Sequence, residues 1–70
     1  MMVEISDGEL LSDLMNAFTR SGCIANRATG RTCQVIHPLA SSDDEALLEV
    51  AFFLRAWQLR HPKVGARIAA

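Results

Sequence analysis

The chain has no tyrosine, one tryptophan and three phenylalanines in 70 residues, so a ladder of aromatic stacking platforms for nucleic-acid bases is not expected. Its two cysteines, Cys23 and Cys33, form no C-x-x-C pair and are too few for a disulfide-dense scaffold. The longest uninterrupted apolar run, residues 50–54, falls far short of the roughly 20 residues of a membrane-spanning helix, so no membrane span is expected. The opening Met1-Met2-Val3-Glu4 carries no basic n-region and does not read as a secretory signal, which points to a cytoplasmic location with reduced thiols. Seven basic against eight acidic residues give a net charge of −1, so no whole-molecule field recruits polyanions. Glycine-rich phosphate loops, zinc-protease motifs and G-x-S-x-G are all missing. No enzymatic activity and no cofactor is expected.

What is present is half apolar, enough for a small core. Two stretches open alike. Ser6-Asp7-Gly8-Glu9 and Ser42-Asp43-Asp44-Glu45 both fit the S-x-x-E capping box, in which the serine hydroxyl accepts from the third amide and the glutamate reaches back. The first predicts a helix over 7–20, with Leu10, Leu11, Leu14, Ala17 and Phe18 on one face and Gly22 as its left-handed stop. The second predicts a helix over 43–60, ended by His61-Pro62. Between them a β-hairpin (or one short strand) is expected, Gly30 taking the positive-φ loop position and Ala25 facing Cys33. The expectation is an α+β fold: a single helix–β-hairpin–helix domain (α-β-β-α) over 6–62, with residues 1–5 as lead-in and 63–70 as a flexible tail.

The second helix is apolar on two faces. Ala46, Leu47, Val50, Ala51, Phe53, Leu54 and Trp57 form an ordinary core-facing stripe. Leu48, Phe52 and Leu59 form a further ridge that so short a chain can hardly cover, the kind of patch that marks an interaction site. Acids lie toward one end, Glu45 and Glu49, and Arg60 toward the other. Two copies packed antiparallel would set Leu48 on Leu59 and acid against base, the self-complementarity of a two-fold interface. The expected protein is therefore a homodimeric interaction or regulatory module, with a heterologous protein as the other possible partner.

The alternative is a dimeric DNA-binding regulator contacting phosphates through Arg20, Arg27 and Arg31 around the hairpin. Two further constellations are weaker. Cys23, Cys33, His37 and His61 contain the ligand types of a structural zinc site but match no usual finger spacing. Cys33 and His37 are a thiol and an imidazole at a spacing easily reached by chance.

Overall fold

The computed structural model describes residues 1–69. In chain order the elements are β1 (Met2–Ile5), a 3-10 turn (Gly8–Leu10), α1 (Leu11–Arg20), β2 (Ile24–Arg27), β3 (Thr32–Ile36), α2 (Asp43–Leu59) and β4 (Ala66–Ala69). The four strands form one antiparallel sheet in the order β2-β3-β1-β4. Each helix thus links two parallel strands that are separated by a third, the split-βαβ unit used twice in ferredoxin-like topologies.

Alternation along the strands decides which face each residue takes. Val3 and Ile5 of β1 and Cys33 and Val35 of β3 point at the helices and are buried. They meet Leu11, Leu14 and Phe18 of α1 and Val50, Leu54 and Trp57 of α2 in one core. Ala25, Ala66 and Ile68 pack against it from the outer strands. Among the described residues the opposite sheet face carries no helix. There the facing pair Ile24 and Ile36 remains about half exposed, beside Glu4, Gln34 and Arg67.

The lead-in and the tail expected from the sequence are instead the sheet's β1 and β4, paired from Met2↔Ala69 to Ile5↔Ala66. Four residues each are too few for periodicity to reveal, yet these strands put Val3, Ile5, Ala66 and Ile68 on the sheet's inner face. The first capping box is also not used as one. Ser6 Oγ accepts from Gly65 N at 2.9 Å and Ser6 N donates to Gly65 O at 2.8 Å, tying β1 to the start of β4. Asp7 caps the 3-10 turn in its place, accepting from Glu9 N.

The second box holds in part. Ser42 Oγ accepts from Glu45 N at 3.1 Å, while the Glu45 carboxylate reaches back one residue further, to Ser41. The hairpin is present, but its register is Arg27↔Cys33 and Ala25↔Val35, two residues from the expected pairing. A slip of two preserves faces, so the apolar side still meets the core. The loop 28–31 is held by Thr29 and Thr32 rather than by a left-handed Gly30. The positive φ among the described residues belongs to Gly22, +91°, as the stop of α1 requires.

Candidate interaction surface

α2 buries one face and leaves the other bare. Val50, Leu54 and Trp57 are at 0%, 5% and 1% exposure, whereas Leu48, Phe52 and Leu59 are at 72%, 70% and 70%. With 100° between successive residues, Leu48, Phe52, Arg55 and Leu59 fall within roughly 60° of one another, opposite the buried stripe. Of the stripe expected to face the core, Leu47 is half exposed and Ala51 exposed, because one sheet and one neighbouring helix cover a narrower arc than the sequence allows. Phe52 meets Phe53 edge to face at 6.2 Å. Phe52 and Phe53, with Ala17, Arg20 and Ser21 at the end of α1, Ala56 of α2 and Arg60 just past it, line an open cleft of about 380 Å³.

The expected rim charges are differently employed. Glu49 Oε1 accepts from His37 Nε2 at 3.0 Å. The hydrogen bonds of the Ser41 hydroxyl and amide hold the Glu45 carboxyl below its ordinary range. Both carboxylates thus fasten the 37–41 segment to the first turns of α2, a use that helix spacing alone does not reveal. Asp43 and Asp44 in that first turn enter none of the ion pairs found among the described residues.

The three candidate phosphate-contacting arginines are not brought together. Arg20 lines the α1–α2 cleft, Arg27 donates from Nη2 to Ser12 Oγ at 2.8 Å on the helix side, and Arg31 stands in the hairpin loop. Arg31 borders a groove of about 710 Å³ at the end of the sheet, with Glu4, Ser6, Thr29, Thr32, Gln58 and Arg67 among its lining residues.

Cys23 and Cys33 are free, buried thiols whose pKa values lie above the ordinary 9.0, burial being the main cause in both. The nearby Glu49 carboxylate pushes Cys23 further up, while Arg27 and the chain's amino terminus draw Cys33 part of the way back. Among the described residues no three His, Cys, Asp or Glu side chains converge on a possible metal position. Cys33 lies in the core, while the two histidines are held by other partners. His37 packs edge to face on Phe53 at 5.9 Å. His61 stacks on Trp57 at 4.0 Å and donates from Nδ1 to the Trp57 carbonyl.

Sequence reasoning missed the clamp around Trp57. Its indole N–H donates to Asp13 Oδ2 at 2.8 Å, and the His61 ring lies over it with Nε2 3.7 Å from the same oxygen. The Trp57–His61 spacing of one helical turn was the readable half of the signal; Asp13, on α1, was not. His37 is buried to 6% side-chain exposure, and its Nδ1 has no hydrogen-bond partner among the described residues.

Comparison with known proteins returns no matching family, no matching curated protein and no matching solved structure.

Proposed function

We propose that this protein is a non-enzymatic, cytoplasmic interaction module that works as a homodimer joined through the outer face of α2. The observation that carries the reading is the ridge of Leu48, Phe52 and Leu59, exposed on the side of α2 opposite the core. A 70-residue domain buries only about 60% of its unfolded surface, and a second subunit is one ordinary way to add to that. The order along the ridge, Leu48, Phe52, Arg55, Leu59, suits a two-fold axis. Setting Leu48 opposite Leu59 of a second copy also sets Phe52 opposite Arg55, a cation–π arrangement repeated by symmetry. Asp44 then lies toward the segment bearing Arg60 and Lys63, replacing the engaged Glu45 and Glu49 as the acidic rim. Two buried thiols with no disulfide between them fit a reducing compartment.

The test is sedimentation of the full chain against Phe52→Glu. Wild type is expected at twice the chain mass, and the variant at the chain mass with its circular dichroism spectrum retained. Equal sedimentation of both, or a wild-type monomer at micromolar concentration, rejects the reading. Phosphate contact by hairpin arginines remains as a second reading on the strength of Arg31 alone, which enters no ion pair among the described residues.

A further inference from the structure

The groove beside the hairpin loop lies away from the ridge and is built differently. It is formed where β1 ends, β4 begins and the loop 28–31 folds over, and α2 contributes only Gln58. Its volume of about 710 Å³ is within the 300–1,000 Å³ typical of small-molecule sites. We propose that it binds a small organic molecule through a phosphate monoester.

The polar groups decide the ligand class. Arg31 brings a guanidinium with no ion-pair partner among the described residues. Among the described residues Arg67 is engaged by Glu4 Oε1 through Nε, at 3.1 Å, with no hydrogen bond drawn from its two terminal nitrogens. The hydroxyls add to the same excess. Thr29 Oγ1 and Thr32 Oγ1 share one hydrogen bond of 2.7 Å, and Thr29 Oγ1 also accepts from Arg31 N. Whichever threonine donates, one of their two hydroxyl hydrogens is left over. Ser6 Oγ accepts from Gly65 N, so its own hydrogen is also free to donate. One of the two Gln58 Nε2 hydrogens goes to the Ala66 carbonyl, which holds that side chain in place.

The groove therefore offers donors from three separate segments against one carboxylate that is already paired. A carboxylate paired with the Arg31 fork keeps lone pairs only in its own plane, so it can meet hydroxyls arriving from two other segments less completely. A phosphate, with three terminal oxygens in tetrahedral directions, can take the guanidinium and both hydroxyls together. The phosphate fills only part of this volume. The rest, against Ile5, Gly65 and Ala66, would hold the organic body.

The elements that form the groove are packed directly against one another. Gly8 sits so close to the Gly30 carbonyl that a Cβ there would overlap it, which packs the 3-10 turn directly under the loop. Ile5 N donates to Arg31 O at 2.9 Å, fixing the loop to β1.

The experiment is a titration of the full chain, followed by amide chemical shifts, with ribose 5-phosphate as probe and inorganic phosphate, acetate and ribose as controls at constant ionic strength. Ribose 5-phosphate is expected to shift residues 6, 29–32, 66 and 67 and to bind more tightly than inorganic phosphate. Acetate and ribose should leave those amides in place. Arg31→Gln should weaken binding about tenfold or more, and Arg31→Lys, which keeps the charge but loses the fork, should also weaken it. Phe52→Glu should bind as wild type does, whatever its subunit count, so the groove and the dimer stand or fall separately. No shift, equal binding of acetate, a site for inorganic phosphate that excludes the ester, or undiminished binding by Arg31→Gln each overturns the proposal. So does tighter, steeply salt-dependent binding of a DNA duplex at the same residues, which would favour the phosphate-backbone reading instead.

Discussion

Cys23 and Cys33 illustrate how a residue's chemistry is set by neighbours that lie far away in sequence. Both thiols are enclosed by the core, and burial disfavours the thiolate. A thiol whose pKa is raised by folding contributes stability that is fully present below its unfolded value. That contribution is lost as pH rises toward the folded value, because the unfolded chain releases its proton first. The melting temperature is therefore expected to decline as pH climbs past 9.0, with a flatter alkaline limb in Cys33→Ala. At neutral pH a disulfide reagent should modify both thiols only as fast as the protein opens, and at once in denaturant. Rapid labelling of the native protein would show the thiols to be accessible. Ser6 makes the same point from the opposite direction. Its neighbourhood matches that of Ser42 letter for letter at both box positions, yet its hydroxyl serves Gly65, and no local pattern records that choice.

α2 was the most legible element, since its start, its stop and its doubled apolar faces can all be taken from spacing. Ser42 satisfies an otherwise unpaired amide of the first turn, so Ser42→Ala should lower unfolding free energy by about 1 kcal/mol in denaturant titration. An unchanged midpoint would mean that the Glu45–Ser41 contact alone holds the helix start. The hairpin was legible as to face but not register. Apolar alternation constrains pairing only modulo two residues, and the threonine-held loop that selects between registers has no strong sequence signature. The ridge of the candidate interface was readable for the same reason as the core stripe, because both follow the helical period. The engagement of Glu45 and Glu49 was not, since it depends on where the 37–41 segment returns to the helix. Nor was the groove, whose lining residues come from four places along the chain.

For the whole molecule the decisive and least legible contact joins β1 to β4. Ala-Arg-Ile-Ala has little strand propensity by itself, and it becomes a strand because Val3 and Glu4 stand ready opposite Ile68 and Arg67. Ending the chain after Gly65 would strip one edge of β1 and uncover the core beside Val3 and Ile5. Such a truncation should abolish cooperative thermal unfolding, whereas a dispensable tail would leave the melting curve unchanged. Pairing Met2 with Ala69 also sets a timetable for assembly on the ribosome. The inner strand is made first but waits, with one row of amides and carbonyls unsatisfied, until the closing segment has left the exit tunnel. During that wait the matching segment of a neighbouring nascent chain can occupy the vacancy as well as its own. That open edge is where a strand-exchanged pair would start, distinct in origin from any pairing through the helix surface.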